Sequence, residues 1–302
     1  MKISIFKPYL QYVSEIFPEI EFIDVEEECP ESEVLIGEPH HITRDKLEKL
    51  SNLKWIQSLR AGFDTIDMEY IKNRGIIYTN GKDIYSVPIA EDVICKMLMH
   101  NTNALDYIKN QKNHTWTKGF KRKEFCSQTI GIIGTGSIAT EIAKRLQGFG
   151  VRVIGYKRTP VSTIPYFDEV YSGHKGLDII LSLSDYIVMT VDLNKDTYHM
   201  LNKNNLKNMK KEASIINIAR GSVINQKDLT EMLKNNEISY AGLDVFEIEP
   251  LPEKDELWDL DNVYITPHAS GVVKNNKDRL KKLIVENIKR YIESDQLANV
   301  VR

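Results

Sequence analysis

The chain has 302 residues, 42% of them hydrophobic, and a formal net charge of −3. That length exceeds what one hydrophobic core usually carries, so two domains are expected. The slightly acidic balance excludes nucleic acid and an anionic membrane as principal partners, since both demand a basic surface.

The first residues, Met1-Lys2-Ile3-Ser4-Ile5-Phe6, alternate like a strand and lack the long apolar stretch and small-residue cleavage site of a leader. No apolar run approaches membrane-spanning length. Cys29, Cys95 and Cys126 are scattered and have no metal-ligand spacing, which implies a reducing, cytoplasmic setting and no metal centre. Apolar strand candidates recur at residues 3–6, 22–25, 34–37, 55–59 and 76–79. A polar stretch, residues 101–128, holds Trp116 and is expected to carry a crossing helix and a linker. A second series follows at residues 130–133, 151–156, 186–190, 214–218, 238–243 and 263–266. Both series read as parallel α/β sheets with crossover helices. Residues 274–293 place Leu280, Leu283, Ile284, Ile288, Tyr291 and Ile292 on one helical stripe that could pack back on the first domain.

The second series opens with the most informative unit. The strand Ile130-Gly131-Ile132-Ile133 runs directly into Gly134-Thr135-Gly136-Ser137-Ile138-Ala139, and Ile138, Ile142, Ala143 and Leu146 then fall on one helical face. This is a dinucleotide-binding turn in a strand-turn-helix setting. Gly134 allows the tight turn, Gly136 lets the backbone approach a pyrophosphate, and Ala139 is small enough for close helix packing. A pyrophosphate would sit on the amides of the helix N-terminus, contributed by Thr135, Ser137 and Ile138. The following strand ends in Lys157-Arg158-Thr159, where an acidic residue about twenty positions past the turn would hold a free ribose 2′-hydroxyl. Two cations and a hydroxyl suit a 2′-phosphate instead, which favours NADP over NAD.

Ligands of open parallel sheets bind beyond the carboxyl ends of strands. Three polar residues follow such ends: Arg220 after residues 214–218, Glu249 in the segment that starts at Asp244, and His268 after residues 263–266. Singly, each has a plain explanation as a surface cation, a solvated acid before a turn proline, and a hydrogen-bonded core histidine. Together they gather on the rim that carries the glycine turn.

These motifs complete a resemblance. The runs Leu53-Lys54-Trp55-Ile56-Gln57, Ala61-Gly62-Phe63-Asp64 and Ala90-Glu91, the glycine turn, Ile216-Asn217-Ile218-Ala219-Arg220-Gly221, Gly242-Leu243-Asp244-Val245-Phe246, Glu249-Pro250 and Thr266-Pro267-His268 occur in the order of the D-isomer-specific 2-hydroxyacid dehydrogenases, which the chain resembles over nearly its whole length. The resemblance implies two doubly wound parallel-sheet domains: a Rossmann cofactor domain (residues 99–274) inserted into a flavodoxin-like substrate domain (residues 1–98 and 275–302). It also implies a homodimer and a small 2-keto or 2-hydroxy acid as substrate. Arg220 would grip the substrate carboxylate and polarise the keto oxygen. His268 would donate the proton, with Glu249 favouring its charged form and fixing which nitrogen faces the substrate. Asp244 would position the nicotinamide carboxamide, and the backbone around Arg60, Ala61 and Gly62 would hold the carboxylate from its other side. Pocket shape would be set around Arg60, Tyr85 and Ser86.

Two places depart from the family pattern. Asp192 stands where a proline is usual, which implies an altered cofactor-side loop, and Met99-His100-Asn101 stand where an arginine is common, which bears on packing between the domains. A formate dehydrogenase on the same fold would resemble a site with Gln in place of Glu249, so Glu249 argues against it. A nucleotide-sensing regulator that retains the catalytic residues is the remaining alternative, and turnover separates it from an enzyme.

Overall fold

The short apolar runs become strands because their β-branched residues are buried on both faces, as a parallel sheet covered by crossover helices requires. The structure, a computed structural model, describes residues 1–119 and 124–301. By packing it divides into two units, Met1–Tyr85 with Val273–Arg302, and Ser86–Val272.

In the first unit β1 (Lys2–Ile5), α1 (Lys7–Ile16), β2 (Glu21–Asp24), β3 (Val34–Gly37), α2 (Arg44–Lys49), β4 (Trp55–Ser58), α3 (Met68–Asn73) and β5 (Ile77–Thr79) follow one another. The strands form an all-parallel sheet of order β2-β1-β3-β4-β5, which is the flavodoxin-like order. Alternation along the strands sorts the core into two layers. Ile3, Ile5, Val34, Ile36 and Trp55 lie on one face, and Leu35, Ile56 and Tyr78 on the other.

The second unit begins with α4 (Ser86–Asn101) and α5 (Ala104–Lys112). It continues through β6 (Thr129–Ile133), α6 (Ser137–Leu146), β7 (Arg152–Lys157), β8 (Glu169–Ser172), α7 (Gly173–Leu183) and β9 (Tyr186–Met189). Then come α8 (Lys203–Leu206), β10 (Ser214–Asn217), α9 (Gln226–Lys234), β11 (Tyr240–Leu243) and β12 (Val263–Ile265). Its parallel sheet has the order β12-β11-β10-β9-β6-β7-β8, a Rossmann arrangement whose direction reverses between β6 and β9. Helix α4 belongs to this unit because Ala90, Val93, Ile94 and Met97 pack with Ile130, Ile132, Val188 and Ile216. The last helix, α10 (Asn276–Ile292), goes with the first unit, where Leu280, Leu283, Ile284 and Ile288 join Trp55 and Val34 in one layer.

Strands form at all eleven places expected from the sequence. The additional strand β8 escapes that reading because it is an edge strand whose residues are exposed or half-buried, without a continuous apolar run. Within residues 101–128 the structure forms α5, which buries none of its residues, and leaves Trp116 exposed; residues 120–123 lie outside the described ones. Among the described residues no helix is long and apolar enough to cross a membrane.

Candidate active site

All seven strands of the second sheet run parallel, so the segments that leave β6, β7, β9, β10, β11 and β12 emerge on one rim. The glycine turn leaves β6 beside the reversal point, where an open α/β sheet forms its ligand crevice. Gly134 adopts φ +99°, and a Cβ there would stand 2.7 Å from Thr190 Oγ1 and 2.9 Å from the Thr190 carbonyl, so only glycine lets these strand ends close on each other. Gly136 is the N-cap of α6 and has open space where a Cβ would project, as a bound pyrophosphate requires. Ala139 is fully buried in the layer beneath, and Ser137 accepts a hydrogen bond from the hydroxyl of Ser86 at 3.1 Å. Thr135 and Ile138 flank the turn, half-buried.

At the end of β7, Lys157, Arg158 and Thr159 are all exposed. Arg158 pairs with Asp196 at 2.9 Å, a partner that the sequence does not reveal. The loop that brings Asp196 there is braced by its own side chains: Thr197 Oγ1 donates to the Asp192 carbonyl (2.6 Å), and the Asp196 amide donates to Asn194 Oδ1 (2.9 Å). Asp192 itself is exposed on this loop.

Beyond β10, Asn217 ties down the segment holding Arg220. Its Oδ1 accepts from the Ala219 amide (3.1 Å) and its Nδ2 donates to the Arg220 carbonyl (3.0 Å). The half-buried Arg220 guanidinium donates to the Ala219 carbonyl at 2.7 Å. On the neighbouring segment Glu249 Oε2 lies 2.8 Å from His268 Nδ1, while Glu249 Oε1 accepts from the Phe246 amide at 3.0 Å. The imidazole is about half exposed. His268 adopts φ +51°, a left-handed conformation that costs an L-residue strain energy.

Asp244 has a larger part than the sequence suggests. Buried at the end of β11, it accepts from Thr266 Oγ1 (2.6 Å) and from the amides of Ala269 (2.8 Å) and Ser270 (3.1 Å), and its carbonyl takes the His268 amide (2.8 Å). It therefore fixes the backbone on both sides of His268. Glu247, also unmarked in the sequence, braces the neighbouring loop: its carboxylate accepts from His199 (2.8 Å) and the Gln226 amide (3.0 Å), and its own amide donates to Gln226 Oε1 (3.0 Å). These partners are distant in the chain, so no local pattern signals them.

In the first unit, Arg60 follows β4 and its Nε donates to Glu38 Oε2 at 2.6 Å. The guanidinium lies 6.0 Å from the Tyr85 ring centroid, and the Tyr85 hydroxyl donates to the Leu59 carbonyl. The Arg60 amide lies 3.3 Å from Ser58 Oγ, and the Ala61 carbonyl accepts from Asn80 Nδ2 at 2.6 Å. Gly62 is half-buried beside them. Elsewhere in the first unit, Glu26, His40 and His41 bring side-chain ligand atoms within 4.8 Å of one another. The Glu38 amide donates to His41 Nδ1, which leaves the ring proton on Nε2, aimed at Glu26. That arrangement suits a hydrogen-bonded pair and not a metal ligand.

With this geometry in hand, known proteins offer close parallels. Residues 94–270 match the family model described as D-isomer specific 2-hydroxyacid dehydrogenase, NAD binding domain. A glyoxylate reductase of Pyrococcus horikoshii is 34% identical over 82% of this chain and 75% of its own length. A D-3-phosphoglycerate dehydrogenase of Methanocaldococcus jannaschii is 34% identical over 86% of this chain, which spans only about half (49%) of that protein. Among solved structures, an NADPH-dependent glyoxylate/hydroxypyruvate reductase from Sinorhizobium meliloti in complex with NADP and sulfate superposes with a TM-score of 0.83 and 25% identity, over 99% of this chain and 97% of that one.

Proposed function

The chain belongs to the D-isomer specific 2-hydroxyacid dehydrogenases, and from that premise we propose that it reduces a small 2-keto acid to the D-2-hydroxy acid, with NADPH as the favoured donor. The observation that carries this reading is the His268–Glu249 pair, seated on the strand-end rim that also holds Arg220 and the glycine turn. When bound, the reduced nicotinamide supplies a hydride to C2 of the substrate. Arg220 binds the substrate carboxylate and stabilises negative charge developing on the keto oxygen. Glu249 engages His268 Nδ1 and fixes which ring nitrogen faces the substrate, so Nε2 delivers the proton to that oxygen and takes it back in the oxidative direction.

The residues fit the cofactor. Gly134, Thr135, Gly136, Ser137 and Ile138 would receive the pyrophosphate, and Asp244 would receive the carboxamide. Lys157, Arg158 and Thr159 would receive a 2′-phosphate. Asp196 already sets an anionic group on Arg158, and an exposed ion pair of this kind costs little to exchange. The second unit is thus read as the cofactor domain and the first as the substrate domain. The glyoxylate and hydroxypyruvate reductases among the relatives favour a substrate of that small size. A cytoplasmic homodimer completes the reading, and the exposed Tyr107, Ile108 and Trp116 offer apolar surface for a second copy.

Initial rates of NADPH and NADH oxidation with a panel of 2-keto acids test it, with His268→Ala as the control for chemistry. Turnover with NADPH preferred, reduced at least about a hundredfold by the mutation, is expected. An NADH preference would retire the phosphate reading of Lys157 and Arg158. Cofactor binding without any turnover would turn the assignment to a nucleotide-sensing regulator.

A further inference from the structure

Helix α4 carries charge where an interior helix normally carries none. Lys96 is fully buried, and Asp92, one turn earlier, takes its ammonium as an ion pair. The same Asp92 oxygen accepts a hydrogen bond from the hydroxyl of Ser270, a residue 7% exposed and two positions beyond His268. Lys96 Nζ lies 3.4 Å from that hydroxyl and 5.6 Å from the Tyr264 ring centroid. Its stem runs past Gly242 of β11, where an added Cβ would stand 3.1 Å from Lys96 Cδ. A buried ammonium is costly unless its partner is fixed, and an apolar residue would serve a packed helix at least as well. The hydroxyl at the end of this chain of contacts anchors the backbone that holds His268 at φ +51°. Such a conformation persists only when its surroundings over-determine it. Asp244 supplies one clamp through the Ala269 and Ser270 amides, and Asp92 supplies the other through the Ser270 side chain.

We propose that Lys96, Asp92 and Ser270 form a positioning relay that holds the left-handed turn at His268 and thereby aims its imidazole at the substrate oxygen. The relay rests on the reading of His268 as proton donor. Lys96 locks the carboxylate of Asp92 in place, Asp92 locks the Ser270 hydroxyl, and Ser270 sets the direction in which the chain leaves His268. None of the three touches the reacting atoms; each acts through His268.

Ser270→Ala tests the relay without exposing a buried charge, because Lys96 and Asp92 remain paired. With NADPH and the 2-keto acid turned over by the wild type, kcat is expected to fall about tenfold or more, since small misplacements of a reacting group are costly. The KM values should change by no more than about threefold, because substrate and cofactor contacts are untouched. In a His268→Ala background the same substitution should have no further effect on kcat. A readout independent of turnover is the nitrogen-15 spectrum of the His268 ring, assigned by its loss in His268→Ala; Ser270→Ala should shift its signals. Wild-type kinetics and ring signals in Ser270→Ala would overturn the proposal, as would an equal loss of kcat in the His268→Ala background. If the wild type reduces no 2-keto acid but the ring signals shift, the relay stands and the reading of the site as catalytic fails; if they do not shift, the relay fails as well.

Discussion

A Cβ on Gly221 would stand 1.8 Å from the Phe246 carbonyl carbon and 2.3 Å from the Glu247 amide nitrogen. No side-chain adjustment relieves a clash with backbone, so the segments carrying Arg220 and Glu249 would have to move apart. Gly221→Ala is therefore expected to destabilise the second unit by about 2 kcal/mol or more and to lower kcat with it. Thermal unfolding checks the first effect, and an unchanged midpoint would mean that the two segments separate freely. The sequence marks Gly221 only as a member of a motif, since the reason for it lies 25 positions away in the chain. The same distance in sequence explains why His268, Glu249 and Arg220 were legible as strand-end polar groups while their supports were not. Asp196 on Arg158, Glu38 on Arg60, and Ser270 on Asp92 are tertiary pairings without a local signature.

At the level of elements, α4 shows how a polar row is accommodated on a buried face. Asp92, Lys96 and His100 follow at intervals of four, beside Val93, Ile94 and Met97. In the sequence His100 is visible only as the residue standing near an expected arginine, with a bearing on packing between the domains. In the structure it turns into the second unit. Its ring stacks on Tyr240 with centroids 4.5 Å apart, Nδ1 lies 2.8 Å from the Tyr186 hydroxyl, and Ser214 and Ser239 stand at 3.3 Å. Burial lowers its pKa from the ordinary histidine value of 6.5 to about 4, so the folded protein keeps it neutral. The unfolded chain binds a proton to His100 as pH falls below 6.5, while the folded chain resists until about 4. This contribution to stability is present above pH 6.5 and is lost as pH falls through that window, by about 1.4 kcal/mol for each unit crossed. His100→Phe retains an aromatic ring against Tyr240 and cannot titrate, so the dependence of the unfolding free energy on pH between 6.5 and 4 should become shallower, whatever the mutation does to absolute stability. Urea titrations at several pH values measure this, and an equal slope in both proteins would refute it.

For the whole molecule, the places of the strands other than β8 were readable because each of them is a short apolar run with its own local signal, whereas the edge strand β8 has none. The closure of the first unit depends on a segment nearly two hundred residues further along the chain. The stripe of Leu280, Leu283, Ile284 and Ile288 identified α10 as a helix with one buried face, but left open which sheet it covers. Asn287, on the same stripe and fully buried, supplies the specificity. Its Nδ2 donates to Gln57 Oε1 at 2.7 Å on β4, and its Oδ1 accepts from the Ala298 amide at 2.8 Å. A buried amide is satisfied only in that register, which pins α10 to the first sheet. The Val301 amide extends the attachment by donating to the Tyr78 carbonyl. The second unit, residues 86–272, is continuous in sequence and draws both layers of its core from that stretch alone. Ending the chain after Val272 should therefore strip one face from the first sheet and make residues 1–85 sensitive to protease, while NADPH binding, followed by cofactor fluorescence, is retained. Loss of protease resistance and cofactor binding together would mean that the second unit does not hold its fold by its own core.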